Sequence, residues 1–327
     1  MDRRSVITTL GALGLSAVVS ARAQQKGKLK RIGLHGSGRA QALPGSVEAF
    51  RGGMTALGWV DGRDYVIDAR YTDSLTEALE RNATDLVNTR PDVLLAVGDL
   101  STSAFSRRTK TIPIVFVIST DPIGRGFAAS LQRPGGNMTG LTFLVSDLAA
   151  KRLELLREVS PRVAHVAVLF DPNDAQSVSQ VKSFEDAAER LKIRVAPIEV
   201  RRAGDIEMAL RRNAHPRVDA FAIAMGPLLM GASTTVSDGL LRLKLPSVTP
   251  SSHMAEAGML MSYAPSITEN FRLAAGYVDK ILRGAKPGEL PIEQPSKFEL
   301  VVNARTARKI GVNIPRSVLL RADRVIE

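Results

Sequence analysis

Two short stretches of this 327-residue chain, residues 92–97 and 114–118, are apolar on both faces and constrain its fold most strongly. A strand of this kind must be covered on both sides, which is typical of a parallel sheet with helices on each face. An amphipathic helix predicted over residues 46–57, with further helices at 75–88 and from about Ser101, supplies that cover. With further strands at residues 31–35 and 65–71, the first part of the chain is predicted to form a doubly wound α/β lobe.

The same pattern restarts after about residue 147, and the length exceeds what one core supports. Strands are predicted at residues 165–170, 194–198, 220–224 and 247–249, with helices at 147–159, 205–212 and 228–241. Ser177 and Gln180 predict a capping box for another helix. A late helix, residues 267–282, has no strand of its own and is expected to cover the first lobe, while residues 298–302 return to the second. We therefore expect two doubly wound parallel-sheet lobes joined by a multi-strand hinge. Lobe 1 comprises residues 24–140 and 265–296, and lobe 2 residues 141–264 and 297–327.

Residues 133–141, Arg-Pro-Gly-Gly-Asn-Met-Thr-Gly-Leu, interrupt this alternation. Proline fixes φ, glycine permits positive φ and asparagine tolerates the left-handed region, so the stretch is expected to form neither helix nor strand. Because it lies where one lobe ends and the next begins, we interpret it as a hinge. The proposed hinge residues are Gly135, Gly136, Asn137 and Gly140.

The first 23 residues are typical of an export signal. Arg3 and Arg4 precede a short apolar run, and Ala21-Arg-Ala23 is an A-x-A cleavage site, so cleavage is expected after Ala23. The arginine pair indicates a twin-arginine signal, but a general secretory signal also begins with positive charge, and both routes stay open. The chain contains no cysteine. This excludes disulfides, thiol catalysis and a lipid-anchoring cysteine after the signal, and indicates a protein free in the periplasm.

The formal net charge of the whole chain is +11. It becomes +9 after removal of residues 1–23, where Arg3, Arg4 and Arg22 stand against Asp2. The basic residues are scattered pairs without interleaved aromatic residues, a pattern that argues against nucleic-acid binding and favours solvated arginine faces.

Motifs for catalysis are incomplete. Gly36-Ser-Gly38 begins a dinucleotide fingerprint that no later glycine completes, the four histidines lack the spacing of metal ligands, and no G-x-S-x-G elbow occurs. We therefore expect a protein that is not an enzyme and has no catalytic residue, metal or cofactor.

Ligands of open parallel sheets bind beyond the carboxyl ends of the strands, where helices begin. The loops at these positions are small, polar or glycine-containing and suit a small polar solute. The aspartates are candidates for binding an ammonium group, although each alone is better explained as a helix cap or turn residue. Phe170 and Tyr263 are equally consistent with stacking on a flat ligand and with core packing. The proposed ligand-binding residues are Ser37, Gly98, Asp99, Ser119, Thr120, Asp121, Phe170, Asp171, Asn173, Met225, Gly226, Ser251 and Tyr263.

Nearly the whole mature chain resembles the family of ABC transporter substrate-binding proteins whose founding members are associated with tryptophan and tyrosine uptake. The resemblance is carried by short motifs in chain order. They are Ile112-Pro-Ile-Val-Phe-Val, Asp121-Pro122, residues 133–141, Lys151-Arg-Leu-Glu-Leu-Leu, Gly258-Met-Leu-Met-Ser-Tyr and Tyr277-Val-Asp-Lys-Ile-Leu-Arg-Gly-Ala-Lys-Pro, followed by Pro295-Ser-Lys-Phe-Glu-Leu and Arg321-Ala-Asp.

The resemblance implies a fold like that of type I periplasmic binding proteins, with two lobes that close on a solute and deliver it to an ABC permease and ATPase. The solute class stays open between an amino acid, aromatic ones included, and another small carboxylate. We expect a monomer with transient contact to membrane proteins. The alternatives are a periplasmic sensing module for a receptor and, less favoured, a hydrolase on the same fold.

Overall fold

The computed structural model describes residues 28–37, 45–72, 77–143, 148–214 and 217–327. The predicted export signal lies outside these residues. Within them, no helix combines the length and apolar character needed to cross a membrane.

The first lobe is built on a parallel sheet whose described strands run in the order β2-β1-β3-β4-β5. Its strands are β1 (Lys30–Ser37), β2 (Tyr65–Thr72), β3 (Val93–Val97), β4 (Ile114–Ser119) and β5 (Met138–Thr142). Its helices are α1 (Ser46–Ala56), α2 (Glu77–Asn88) and α3 (Gly98–Arg108). Every residue of β3 and β4 is buried, as their continuous apolar sequences predicted.

The second lobe has a sheet whose described strands run in the order β12-β11-β10-β9-β8-β6-β7. The strands are β6 (His165–Phe170), β7 (Arg194–Glu199), β8 (Ala220–Ile223), β9 (Ser247–Thr249), β10 (Met261–Pro265), β11 (Phe298–Asn303) and β12 (Arg324–Ile326). Strand β11 runs antiparallel to β10, while the other pairs are parallel. The chain thus returns to this lobe from the opposite direction after its excursion to the first.

The helices that follow β5 in the chain cover the second lobe, except for one that packs on the first lobe. They are α4 (Ala149–Val159), α5 (Ala175–Leu191), α6 (Ile206–Arg212), α7 (Pro227–Gly231), α8 (Ser233–Leu243), α9 (Ser252–Glu256), α10 (Ile267–Leu282), α11 (Ala304–Ile310) and α12 (Arg316–Arg321). The single helix predicted over residues 228–241 is wrong, because it is divided at Ala232 into α7 and α8.

Helix α10 packs on the first lobe against α1. A side chain at Gly53 would place its Cβ 2.7 Å from the Cβ of Ala275, so glycine is what lets the two helices approach this closely. The indole N–H of Trp59 donates to Oδ1 of Asp279 at 2.8 Å. A helix that follows the second lobe in sequence therefore covers the first lobe in space.

Residues 133–141 do not form the wholly irregular segment that their composition predicted. Residues from Met138 onward form β5, the edge strand of the first sheet, paired in parallel with β4. Gly140 has φ +149°, and a Cβ there would lie 2.0 Å from the carbonyl oxygen of Phe116. Only glycine allows the backbone of β5 to come this close to Phe116. The glycine that was expected to exclude a strand is therefore what permits this one.

The four proposed hinge residues lie at this sheet edge, beside the passage between lobes. Gly135 donates its N–H to Gly288 O at 3.1 Å, and Asn137 donates its side-chain amide to Ile112 O at 2.7 Å. The chain passes between the two sheets after β5, after β10 and before β11. Thr142 N–H donates to Glu293 O at 2.9 Å, which ties two of these passages together. A role of the four residues in lobe closure stays a prediction.

Candidate functional site

A cavity of about 240 Å³ lies between the two lobes, at the carboxyl ends of central strands. The first lobe contributes the start of α3 and the segment after β4, and the second contributes the starts of α5 and α7. This is where a doubly wound sheet presents helix N-termini to a ligand. The volume lies just below the range of about 300–1,000 Å³ typical of drug-sized ligands, so it suits a solute of amino-acid size.

The structure brings part of the predicted set together at this cavity. Gly98, Asp99, Asn173, Met225 and Gly226 line it. The remaining predicted residues with described side chains lie outside the lining. Ser119 and Thr120 lie behind it and bind Asp99, while Asp121 accepts the N–H of Gly124 at 2.8 Å. Phe170 and Asp171 are buried. Ser37 is the last residue of β1, and its side chain lies outside the described part of the structure.

Tyr263 and Ser251 are separated from the cavity. The Tyr263 ring stacks on Phe298 with centroids 6.1 Å apart, and its carbonyl oxygen accepts from Nε of the buried Arg152 at 2.9 Å. Ser251 lines a second, more polar cavity of about 320 Å³, near Ser46, Glu256 and other residues of both lobes. The first cavity therefore holds the larger share of the predicted site.

Asp99 is bound by the protein itself. Its buried carboxylate accepts the hydroxyls of Ser119 at 2.7 Å and Thr120 at 2.6 Å, and forms an ion pair with Nε of Arg125 at 3.0 Å. A carboxylate already paired with a guanidinium gains little from a ligand's ammonium group. The expectation that Asp99 pairs with such a group therefore loses its physical basis.

Arg125 is the cationic residue among the described residues of the cavity lining. Beyond the ion pair of its Nε with Asp99, its guanidinium forms no further ion pair with a described residue. Helix α3 begins beside it without a side-chain cap, since its N-cap residue is Val97. Guanidinium donors and free helix N–H groups both favour an anion, so this wall is suited to a carboxylate.

Ile118 shows that the backbone of this wall is strained. It lines the cavity and has φ +63°, at the point where the register between β4 and β5 shifts. Positive φ is costly for a β-branched residue and persists only where the surroundings enforce it. The strain places a buried isoleucine side chain in the cavity wall.

Asp174 faces the cavity from the second lobe. The predicted capping box at Ser177 and Gln180 is wrong, because the Asp174 carboxylate caps α5 by accepting the N–H groups of Gln176 and Ser177 at 3.3 Å each. Ser177 Oγ accepts from Asp171 N–H instead, at 3.1 Å. Burial, with a smaller contribution from Asp171, raises the pKa of Asp174, while the two capping bonds and Arg125 oppose the rise.

Two features fix the remaining wall. Gln180, fully buried, accepts the N–H of Met225 at 2.9 Å and donates to its carbonyl oxygen at 3.1 Å. A Cβ on Gly226 would lie 2.8 Å from Oδ2 of Asp174, so glycine lets the backbone pass this carboxylate. The rest of the lining is largely apolar and includes Leu100, Pro227 and Met230.

Sequence reasoning missed Arg125, Asp174 and the apolar residues that complete the lining. Arg125 follows Asp121 in the same loop, and Asp174 follows Asn173 directly. Extending each predicted loop as far as its next charged residue would have found both. The apolar residues carry no such signal, because a methionine or leucine near a helix start is indistinguishable from core in sequence.

No group of three His, Asp or Glu side chains suited to a metal ion occurs among the described residues.

The chain is similar to a known protein family and to proteins of known structure. The model of a family described as ABC transporter substrate binding protein matches residues 39–326. A tyrosine-binding protein of Clostridioides difficile is 23% identical over 285 residues, covering 87% of this chain and 82% of that protein. A conserved domain protein of Vibrio cholerae has a solved structure that is 26% identical, with TM-score 0.85, covering 91% of this chain and all of its own.

A structure of an ABC domain in complex with L-Trp from Streptococcus pneumonia is 24% identical, with TM-score 0.83 and the same coverage of 91% and 100%. The two-lobed architecture is that of type I periplasmic binding proteins.

Proposed function

Since the chain belongs to the ABC transporter substrate binding protein family, we propose that it is the solute-binding component of an importer, closing its two lobes on an amino-acid-sized solute. The observation that carries the proposal is the cavity between the lobes, whose lining combines Arg125, an uncapped helix start and apolar side chains. Such a lining suits a small carboxylate with an apolar body.

Binding between lobes explains how such a protein would signal that it is loaded. A solute that touches both lobes makes its full contacts only when they are closed, so its differential affinity shifts the population toward the closed state. A permease can then distinguish the loaded from the empty protein by shape. No chemical change of the solute is needed.

The names of two relatives support amino acids as the solute class. One is a tyrosine-binding protein and another was solved with L-Trp. We therefore place amino acids, aromatic ones included, ahead of other carboxylates.

The binding proposal is tested by a thermal-shift screen of the mature protein against the L-amino acids and a set of small carboxylates, followed by calorimetry on each hit. A ligand that binds only the native state raises the melting temperature by mass action. We expect at least one amino acid to bind, and binding to weaken in Arg125→Ala but not in the exposed control Arg201→Ala. A screen in which no solute binds, or in which both variants bind alike, contradicts the proposal.

Delivery to a permease and export to the periplasm are the finer parts of the proposal. Export is tested by fractionating cells that express the full chain and a variant with Arg3→Lys and Arg4→Lys. We expect a cleaved periplasmic protein, with export lost in the variant if the twin-arginine route is used. Uptake of the bound solute should fall when this gene is deleted; unchanged uptake would favour the sensing alternative.

A further inference from the structure

Charge balance in the cavity points to a more specific solute class. This inference rests on the proposed solute-binding function. The lining contains the carboxylates Asp99 and Asp174 and the guanidinium of Arg125. Asp99 and Arg125 form an ion pair, which leaves Asp174 as the one carboxylate of the described lining without an ion pair to another described residue.

The other aspartates at these strand ends do not compete for that role. Asp121 caps the turn at Gly124 and does not line the cavity. Asp171 is buried behind the lining and accepts the N–H of Asn173 at 2.9 Å. Asp174 thus differs from both by facing the cavity from the second lobe.

The surroundings of Asp174 leave its charge incompletely compensated. Two backbone N–H groups satisfy part of the carboxylate, at 3.3 Å each, and Arg125 acts on it from the other lobe without forming an ion pair. A half-buried carboxylate of this kind is stabilised by a cation that enters the cavity. The ammonium group of a solute is such a cation.

We infer that Asp174 makes the cavity select solutes that carry a protonated amine, so that an amino acid binds and the same carboxylic acid without its amine does not. Arg125 and the start of α3 hold the carboxylate from one lobe, and Asp174 holds the ammonium from the other. The two charges of a zwitterion therefore bridge the lobes. The apolar part of the lining receives the side chain.

Matched pairs of probes test the inference. L-Leucine, L-phenylalanine and L-tryptophan are compared by calorimetry with 4-methylpentanoate, 3-phenylpropanoate and indole-3-propanoate. We expect an amino acid to bind about tenfold or more tightly than its deamino partner, the size typical of a hydrogen bond to a charged group.

Asp174→Asn should remove this preference. Asparagine is as good an N-cap as aspartate, so α5 should keep its start, and Asp174→Ser is a second neutral cap should the first variant fold poorly. Asp186→Asn, an exposed change on the same helix, is the matched control and should keep the preference.

The outcomes separate the two proposals. Equal binding of both members of a pair by the natural protein, or a preference that survives in both Asp174 variants, overturns the inference while solute binding stands. Absence of binding by every amino acid and every carboxylate contradicts the proposed function and the inference with it.

Discussion

Nε of Arg125 lies 3.0 Å from Oδ2 of Asp99, so the cation that faces the cavity is held by a carboxylate from the neighbouring strand end. Asp99 in turn is held by the hydroxyls of Ser119 and Thr120. Asp99 is thus a positioning residue for Arg125. Preorganisation of this kind contributes to affinity because the guanidinium need not be ordered when the solute arrives.

We predict that Asp99→Asn weakens binding of a carboxylate solute about tenfold, since hydrogen bonds to charged groups contribute about 1.5–3 kcal/mol. The loss should nearly vanish when Arg125→Ala is already present. Calorimetry on the two single variants and the double variant measures this coupling. Additive losses would show that Asp99 acts independently of Arg125.

Gln180 should be essential for the wall formed by Met225. Replacing it with methionine leaves the buried N–H and carbonyl of Met225 without these partners. Each unpaired group lowers the free energy of unfolding by about 1–3 kcal/mol. We expect urea unfolding to show the loss of stability, and solute affinity to fall with it. Glu189→Gln, an exposed change on α5, should alter neither quantity; equal stability of Gln180→Met would refute the role of the two bonds.

Gly140→Ala should destabilise the first lobe, because the new Cβ would lie 2.0 Å from a backbone oxygen of Phe116. Relieving such a clash costs at least about 1–3 kcal/mol. Gly136→Ala is a matched control in the same segment, where a Cβ meets nothing within 4 Å. The melting temperature should be lower for Gly140→Ala than for Gly136→Ala. Equal values would show that β5 can shift away from β4 at little cost.

His35 should make the protein acid-sensitive. Burial lowers the pKa of His35 from 6.5 to about 4. The charge of Glu80 opposes this shift, whereas the charges of Arg108 and Arg70 add to it. Its ring packs against Phe105 and has no hydrogen-bond partner among the described residues. Because the folded pKa lies below the unfolded value, the stability is fully present above pH 6.5 and is lost as the pH falls toward 4, by about 3 kcal/mol.

Urea unfolding at several pH values between 7.5 and 4 measures this loss. His35→Leu keeps an apolar side chain beside Phe105 and should flatten the dependence. An equally steep acid loss in His35→Leu would assign the sensitivity to other groups.

Asp174 should give ligand binding and stability opposite pH dependences. Its folded pKa is raised, chiefly by burial, so in the empty protein its stabilising contribution is fully present below its ordinary value of 3.8 and is lost as the pH rises through the folded pKa. An ammonium group requires the ionised form, so affinity for an amino acid should fall as the pH is lowered through the same pKa. Calorimetry at successively lower pH should show this decline in the natural protein and a flat profile in Asp174→Asn; parallel profiles would contradict it.

Much of the fold could be predicted from the sequence. The doubly apolar segments became the buried strands β3 and β4, and the strand at His165–Phe170 and the helix at Ile267–Leu282 have the predicted bounds. These elements depend on local periodicity, which the sequence states directly. Where the expectation failed, as at β5, a long-range contact with Phe116 decided the outcome.

The candidate site was only half predictable. That ligand loops follow strand ends is a rule of the fold class, and it led to Gly98, Asn173, Met225 and Gly226. The sequence did not predict which carboxylate pairs with a cation, because Asp99 and Arg125 are separated along the chain by a whole strand. Their pairing depends on how two strand ends meet.

The sequence by itself determined the alternation of strands and helices, the two lobes and the family, because these depend on periodicity and on ordered motifs. The tertiary structure alone decided that Asp99 is paired with Arg125, whereas Asp174 forms no ion pair with a described residue. Partial charges and desolvation depend on distances across the cleft, and residues that share a loop type in sequence can differ completely in their neighbours.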